Sequence, residues 1–405
     1  MRLYFRRIER VGEPPPADTR GRVFVANHHN ALIDPILVLT DAPCAISPVA
    51  KSTLWSIPGL SWLLDRAGAV PIIRRKDTPG KDGAANAAAF DRIAAHLADG
   101  GNILIFPEGT SHSEPHLAPL RSGAARMLAA AESRPGVPLS FQAVGLEFDA
   151  RDDFRSRSLV LWGPVRRLAE ITGSGEDRVR AVTAQMDADL RELLVEGDTH
   201  EERRLIARVA EMLAHDAGDA SLSGWNTIGR QVELASHTLR NADPKLVAHV
   251  ASRVAAYYEQ LARLGATDTT MLPHSPKPRS RWLRWAALAP VAIPGLALYA
   301  VPYFIPRLVA RSADPDAVST IKLGAALVVY PVWMAGLVAG SFAVLPPPLS
   351  IVAAVVAIAS PFAALSWLDA WWGRTPAKGT PDELAALARS RIAARAAIEE
   401  ARARL

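Results

Sequence analysis

Two histidines and an aspartate lie close together in one short segment near the start of the chain. The sequence VANHHNALIDP contains His28, His29 and Asp34. The apolar run Val23–Ala26 predicts a buried strand, and Pro35–Leu39 predicts the helix that follows its turn. A carboxylate that orients an imidazole lets the imidazole take a proton from an alcohol. The alternative is that the aspartate only caps the helix and that both histidines are solvated.

Two further segments carry charged side chains after apolar runs. Phe106–Ser111 reads FPEGTS and follows Ile103–Phe106, a second predicted buried strand. Gly68–Lys76 reads GAVPIIRRK, a strand-like run that ends in three cations. Arginine guanidinium groups match the geometry of phosphate oxygens, so an anionic substrate is a natural ligand of these cations. The alternatives are an ordinary proline–glycine turn for the first segment and a solvated charge run for the second.

Together the three segments resemble the motifs of the glycerolipid acyltransferase family, which includes glycerol-3-phosphate and 1-acylglycerol-3-phosphate acyltransferases. The His28-to-Asp34 segment is similar to the family's His-to-Asp motif. Gly68–Arg74 is similar to its Gly-x-x-x-Ile-x-Arg motif, and Phe106–Thr110 to its Phe-Pro-Glu-Gly-Thr motif. The motifs occur in the family's order, and the resemblance covers about residues 20–165.

The resemblance implies roles for individual residues. The family usually has four residues between its histidine and aspartate, a spacing that selects His29, but its Asn-His dipeptide matches Asn27-His28. We therefore predict that His28 is the general base, with His29 as the alternative base, and that Asp34 orients it. The residues implied to bind the glycerol-phosphate part of the substrate are Arg74, Glu108, Gly109, Thr110 and Arg121.

Direct acyl transfer is predicted, without a metal or a resident cofactor. A thioester is already activated, so acyl-CoA or acyl-carrier protein would act as a co-substrate. Ser111 lacks the Gly-x-Ser-x-Gly elbow of a serine nucleophile, and Cys44 has no neighbour in the sequence that would lower its pKa. The single cysteine also excludes a disulfide framework or a cysteine-ligated zinc site within the chain.

The pattern of elements predicts an α/β acyltransferase domain, a mixed sheet with flanking helices, followed by an α-helical region and a C-terminal transmembrane hairpin. Further strands are expected at Leu139–Phe148 and Ser158–Trp162. The predicted domain organisation is an acyltransferase domain over 1–170, an α-helical region over 171–272, a basic proline-rich linker over 273–284, a membrane region over 285–372, and a basic amphipathic helix over 380–405 that lies in solvent or on a membrane surface.

The membrane region divides into three parts. Residues 285–306 are uncharged but contain four prolines, so we expect a kinked or re-entrant segment. Residues 323–345 and 349–368 are free of charge and are joined by three prolines, so we expect a hairpin that crosses the bilayer twice. Arginine and lysine flank both ends of the hairpin, which predicts that both ends, and the catalytic domain, lie on the cytoplasmic face of the cytoplasmic membrane.

The net charge of +5 comes from scattered arginines, which argues against nucleic-acid binding and suits a surface that faces anionic lipids. The predicted function is the transfer of a fatty acyl group from a thioester to a hydroxyl of glycerol 3-phosphate or lysophosphatidic acid in phospholipid biosynthesis. The expected partners are the acyl donor, the glycerol-phosphate or lysophospholipid acceptor and the lipid bilayer. The alternatives are another lysophospholipid or amphipathic alcohol as acceptor, a lipid hydrolase, and a non-catalytic lipid-binding membrane protein.

Overall fold

The computed structural model describes residues 1, 3–57, 59–73, 82–271, 279–313, 317–371 and 378–405. The chain divides into two compact units, Met1–Arg203 and Arg204–Leu405. Each unit has its own core.

Seven strands form one mixed sheet in the first unit. The strands are β1 (Arg7–Val11), β2 (Arg22–Ala26), β3 (Ser47–Lys51), β4 (Val70–Ile72), β5 (Ile103–Ile105), β6 (Ser140–Phe148) and β7 (Arg157–Arg167). Their order across the sheet is β1-β7-β6-β2-β5-β3-β4. Every neighbouring pair is parallel except β6 and β7, which are antiparallel. The expected mixed sheet with flanking helices is therefore confirmed.

The centre of the sheet places two predicted motifs side by side. Strands β2 and β5 are parallel neighbours, with Val25 opposite Ile105. Since the carboxyl ends of parallel strands meet at the same edge of a sheet, the segment after Ala26 and the segment after Ile105 lie next to each other. β4 runs in the same direction two positions further along and ends at Ile72.

Helices cover the sheet in the first unit. They are α1 (Ile33–Asp41), α2 (Leu60–Arg66), α3 (Asp82–Ala98), α4 (Gly123–Glu132) and α5 (Gly175–Leu193). The main core joins one face of the central strands to α3, α4 and α5, and its fully buried members include Val23, Ile93, Leu97, Ile103, Met127, Leu128, Phe141 and Leu190. This apolar layer holds the central strands rigidly and so fixes the loops at their ends.

The second unit contains a helical core. Its helices are α6 (His200–Asp216), α7 (Leu222–Ala242), α8 (Pro244–Arg263) and, after the apolar segments, the last helix, Pro381–Arg402. Val209 and Met212 of α6, Val254 and Leu261 of α8, and Leu387 of the last helix belong to one cluster of buried residues. We expected this last helix to lie in solvent or on a membrane, and that expectation is wrong for one face of it. The buried face packs on α8 because its small and apolar residues repeat at helical spacing.

A buried polar network also joins these helices. Asp268, which is 1% exposed, accepts hydrogen bonds from His215 Nδ1 at 2.7 Å, Tyr257 Oη at 2.6 Å and Arg391 Nε at 2.8 Å. Arg391 also donates to Asp216 at 2.7 Å. The network therefore ties α6, α8 and the last helix to the loop that carries Asp268.

Between α8 and the last helix, the described residues form four largely apolar α-helices. They are α9 (Arg279–Leu298), α10 (Ala300–Val309), α11 (Val318–Val344) and α12 (Leu349–Trp371), so that the last helix, Pro381–Arg402, is α13. Two of them, α11 and α12, are long and apolar enough to cross a membrane, which confirms the predicted hairpin. The pair α9 and α10 bends by 46° at a short break, as expected for the kinked or re-entrant segment. Residues 279–284 of the predicted linker are helical and belong to α9, whereas 273–278 lie outside the described residues.

Candidate active site

The end of β2 is fixed to the sheet by a side chain. The Asn27 amide donates to the carbonyl oxygen of Leu146 at 3.0 Å, and its oxygen accepts from the Leu146 N–H at 2.7 Å. Asn27 is fully buried. The amide thus continues the hydrogen bonding of β2 to β6 by one residue and sets the direction in which the chain leaves the sheet.

His28 and Asp34 meet in the turn after β2. His28 Nδ1 lies 3.0 Å from Asp34 Oδ2, and the Asp34 side chain is fully buried. The same carboxylate oxygen accepts from the backbone N–H groups of His29 at 2.8 Å and Asn30 at 2.7 Å. Asp34 lies in the first turn of α1, where the helix dipole favours a negative charge. The carboxylate is therefore held in place before any substrate arrives.

The pairing selects one tautomer of the neutral His28 ring. An ionised carboxylate can only accept, so Nδ1 carries the proton and Nε2 is left as an acceptor. The ring stacks on Phe106, with centroids 4.2 Å apart and an angle of 24° between the planes. The His28 side chain keeps 11% exposure. An oriented imidazole with a free acceptor nitrogen is the arrangement that a general base requires.

His29 has a different environment. Its Nδ1 donates to the carbonyl oxygen of His112 at 3.1 Å, and only its backbone N–H reaches Asp34. The two imidazole rings of His29 and His112 meet edge to face at 5.3 Å. Burial lowers the pKa of His29, and this effect outweighs the opposing charge of Asp34. Of the two candidate bases, the structure gives the carboxylate partner to His28.

Glu108 connects the loops after β2 and β5. It is 3% exposed, and its two oxygens accept from the backbone N–H of His28 at 2.7 Å, the backbone N–H of Ala118 at 2.9 Å, and Nε2 of His112. Burial alone raises the pKa of Glu108, but the hydrogen bonds from His112, Ala118 and His28 together lower it. Because its oxygens already bind donors of the protein, the geometry favours a positioning role over the direct substrate contact expected from the sequence.

The other predicted binding residues lie on the same loop. Gly109 has a φ of +77°, and a Cβ there would lie 2.7 Å from Arg121 Nε. The position therefore suits glycine, and the Arg121 side chain, which is exposed, lies against it. Thr110 Oγ1 donates to the carbonyl oxygen of Ser111 at 3.3 Å. Arg74 lies outside the described residues, so its predicted contact with phosphate stays a prediction.

Sequence reasoning missed two residues of this region. His112 bonds Glu108 four residues earlier and also donates its backbone N–H to the carbonyl oxygen of His28 at 3.2 Å. Arg151, from the loop after β6, donates to the carbonyl oxygen of His29 at 3.1 Å and to Ser113 Oγ at 3.1 Å. The Glu-x-x-x-His spacing was a signal for the first. The second is distant in sequence, and no local pattern indicates it.

Cys44 and the acidic and histidine side chains bear on two alternative chemistries, a thiol nucleophile and a metal site. Burial raises the pKa of the Cys44 thiol, which disfavours the thiolate that a nucleophile needs. Among the described residues there is no group of three or more His, Cys, Asp or Glu side chains that could hold a metal ion.

The first unit is similar to known proteins over part of its length. Residues 6–142 match the Acyltransferase family model. It is similar to glycerol-3-phosphate O-acyltransferase 2 of Saccharomyces cerevisiae, with 37% identity over 79 residues, 19% of this chain and 11% of that protein. It is also similar to the chloroplastic 1-acyl-sn-glycerol-3-phosphate acyltransferase BAT2 of Brassica napus, with 27% identity over 138 residues, 34% of this chain and 37% of that protein.

Both matches span well under half of the relatives' own lengths. Among solved structures, the chain is similar to the 1-acyl-sn-glycerophosphate acyltransferase PlsC from Thermotoga maritima. That similarity has a TM-score of 0.32 at 16% identity, and it covers 46% of this chain and 70% of that one.

Proposed function

We propose that the chain is a membrane-anchored O-acyltransferase that moves a fatty acyl group from a thioester to a hydroxyl of glycerol 3-phosphate or lysophosphatidic acid. The observation that carries the proposal is the His28–Asp34 pair, in which a buried carboxylate holds an imidazole with a free acceptor nitrogen. The names of the two curated relatives support the choice of acceptors, since both act on glycerol phosphates.

The reaction follows from this geometry. His28 Nε2 takes the proton of the acceptor hydroxyl as the oxygen attacks the thioester carbonyl carbon. Asp34 stabilises the imidazolium that forms, because its charge lies 3.0 Å from Nδ1. The tetrahedral intermediate then collapses, the carbon–sulfur bond breaks, and the imidazolium returns its proton to the leaving thiolate. The products are an ester and a free thiol, and the enzyme recovers its starting state.

The remaining residues bind or position. Glu108 holds the His28 backbone and the loop after β5 together, so that the base and the substrate-binding loop keep one geometry. Arg121 is an exposed cation beside Gly109, and Arg74 follows a strand that ends at the same edge of the sheet. These two arginines are our candidates for the phosphate of the acceptor. Acyl-CoA or acyl-carrier protein would supply the acyl group.

We propose that α11 and α12, which are long and apolar enough to cross a membrane, anchor the chain in the cytoplasmic membrane. The cations on both sides of the hairpin support a cytoplasmic position for the acyltransferase domain. Membrane anchoring suits a reaction in which at least one substrate or product is a lipid.

The test is an acceptor panel. The purified chain in phosphatidylcholine nanodiscs is given palmitoyl-CoA or palmitoyl-acyl-carrier protein with glycerol 3-phosphate, lysophosphatidic acid, lysophosphatidylcholine or no acceptor, and products are identified by mass spectrometry. We expect an ester of one of the two glycerol phosphates. Free palmitate without acceptor would identify a hydrolase, a product from lysophosphatidylcholine alone would identify a different acceptor, and the absence of any product would favour a lipid-binding protein.

A further inference from the structure

A cavity lies far along the chain from the proposed catalytic residues. Within the second unit, α6, α7, α8 and α13 line a half-open cavity of about 490 Å³. Its walls are mainly aliphatic and include Ile206, Val209, Ile228, Leu239, Val250 and Ile398. The cavity volume lies within the range of about 300–1,000 Å³ that is typical of sites for small ligands. A water molecule gains little in such a space, because an aliphatic wall offers it no hydrogen bonds.

The charged side chains of the lining are Asp216, Arg395 and Arg402. Asp216 pairs with Arg395 at 2.6 Å, and it also accepts from Arg391 at 2.7 Å. Arg395 has a second anionic partner, Glu399, at 2.9 Å. Arg402 lines the cavity as well, is exposed to solvent, and has no ion pair within the part of the chain that the structure describes. Arg402 therefore offers the cavity a cation that no carboxylate of the described residues pairs.

We infer that this cavity binds the hydrocarbon chain of a single-chain anionic lipid, with Arg402 pairing the head group at the rim. The lining supplies the apolar surface that an alkyl chain needs, and the unpaired guanidinium supplies the charge complement of a carboxylate or phosphate. A methylene group is similar in size to a water molecule, whose share of liquid volume is about 30 Å³. The cavity therefore has room for about one long acyl chain. Free fatty acids and lysophosphatidic acid share this chemistry.

The inference concerns a site separate from acyl transfer. All the lining residues named above lie outside the acyltransferase match at residues 6–142. Binding here can therefore hold even if the proposed transfer reaction is wrong. A His28→Asn variant should keep the lipid site intact, which separates the two proposals experimentally.

Photolabelling of the full chain tests the site. The protein in phosphatidylcholine nanodiscs is exposed to a palmitic acid that carries a diazirine near the end of its chain, or in a second arm to the corresponding lysophosphatidic acid. Labelled peptides are mapped by mass spectrometry. We expect one or both probes to label α7 and α13 in a saturable manner. Any probe dissolved in the lipid should also label α11 and α12, but this background labelling should not saturate. The probe that labels α7 and α13 at the lower concentration shows whether the site prefers a fatty acid or a lysophosphatidic acid.

Competition by unlabelled fatty acids measures the apolar contribution. Each added methylene should lower the concentration for half-competition by about fourfold, which corresponds to about 0.8 kcal/mol, until the chain fills the cavity. A neutral long-chain alcohol should compete about tenfold less well than the acid of equal length, because it lacks the charge-assisted bond to Arg402.

Matched variants locate the site. Arg402→Gln should weaken competition by the acid about tenfold, and Arg404→Gln, an exposed cation that does not line the cavity, should leave it unchanged. Ala235→Phe should block labelling by filling the cavity, whereas Ala256→Phe, on an exposed face of α8, should not. Circular dichroism confirms that each variant folds. Labelling confined to α11 and α12, or labelling of α7 and α13 that Ala235→Phe leaves unchanged, overturns the inference.

Discussion

His28 and His29 are adjacent in sequence, yet the structure gives them different hydrogen-bond partners. The His28 ring bonds the buried carboxylate of Asp34, whereas the His29 ring bonds a backbone carbonyl oxygen. A carboxylate stabilises the imidazolium that forms during base catalysis, and it does so more strongly than a neutral carbonyl. The different hydrogen-bond partners therefore favour His28 over His29 as the general base, a choice that the spacing of the motif left open.

The first prediction concerns a substitution of His28. His28→Asn should lower kcat by about 10²–10⁴-fold with little change in KM, because the amide can bond Asp34 but cannot accept a proton at neutral pH. His29→Asn is the matched control and should lose less than about tenfold, since its amide can still donate to the His112 carbonyl. Steady-state kinetics with the best acceptor of the panel measures both. Loss of activity in the His29 variant alone would assign the base to His29.

Glu108 carries the second prediction. Glu108→Gln keeps the shape of the side chain but replaces one acceptor oxygen with an N–H₂ group that faces the donors of Ala118 and His112. An unsatisfied buried donor costs about 1–3 kcal/mol, so peptides over 103–121 should exchange their amide hydrogens faster in the variant. Glu114→Gln, an exposed change on the same loop, should leave exchange unaltered.

The direction of the Glu108 pKa shift adds a pH dependence. Since its pKa is lowered in the folded protein, the carboxylate contributes stability above its ordinary pKa of about 4.3, and this contribution is lost as the pH falls through the lower folded value. The protection of peptides 103–121 against exchange should therefore decrease in acid for the native chain, and less so for Glu108→Gln. An identical acid dependence in both proteins would show that Glu108 is not the titrating group.

At the scale of elements, parallel pairing of β2 with β5 is what brings the motifs together. The sequence predicted both strands and both motif-bearing turns, because the apolar runs and the proline and glycine residues after them are local signals. It did not predict the edge strand β1 or the short strand β3. β1 contains three charged residues among five and pairs with β7 some 150 residues later, and β3 contains a proline. Long-range pairing of such segments leaves no local pattern.

The last helix shows a different reason for a wrong expectation. Its many arginines indicate a solvated or membrane-surface helix, but Leu387, Ala394, Ile398 and Ala401 repeat at helical spacing and are buried. Alanine side chains are small and contribute weakly to a hydrophobic pattern, so the arginines determine what the sequence of this helix predicts. The partner, α8, is distant in sequence and had to be seen in the structure.

This packing yields the third prediction. Leu387 is fully buried against α8, so Leu387→Ala should lower the free energy of unfolding of the helical core by about 2–5 kcal/mol through lost burial and a residual cavity. Ile392, on the same helix, is 70% exposed. Ile392→Ala should therefore change the free energy of unfolding by less than about 0.5 kcal/mol. Hydrogen exchange of α8 and α13 peptides gives both values. A larger effect at Ile392 than at Leu387 would instead favour the membrane-surface position expected from the sequence.

Asp268 supports the fourth prediction. Burial alone raises its pKa, but hydrogen bonds from His215, Arg391 and Tyr257 outweigh burial and lower it to about 2. Because that value lies below the unfolded pKa of about 3.9, the carboxylate stabilises the helical core above about pH 4, and this stabilisation is lost between about pH 4 and pH 2.

Asp268→Asn removes the charge from a buried pair and should cost about 3–5 kcal/mol at neutral pH. Protection of α6, α8 and α13 against hydrogen exchange should fall in the variant at pH 7, and its further loss in acid should be smaller than in the native chain. Asp382→Asn, at an exposed position of α13, is the control and should behave like the native chain. Native-like protection in Asp268→Asn would show that the network does not hold these helices together.

At the scale of the whole molecule, one chain joins a part that matches the Acyltransferase family model to helices that are apolar enough to enter a bilayer. In the proposed orientation, both ends of the α11–α12 hairpin lie on the cytoplasmic face of the membrane, and the turn between the two helices lies on the opposite face. The flanking cations support this orientation, because positive loops are retained on the cytoplasmic side. The chain suits a direct test, since its single cysteine, Cys44, is buried and reacts slowly.

The fifth prediction is the outcome of that test. Pro346→Cys places a thiol at the exposed turn between α11 and α12, and Glu400→Cys places one on the exposed face of α13. In intact cells, or in sealed spheroplasts where an outer membrane must first be removed, a membrane-impermeant maleimide should label the thiol at 346 and not the thiol at 400. Permeabilisation should make both react, which controls for accessibility. Labelling of position 400 alone would reverse the orientation proposed for the hairpin.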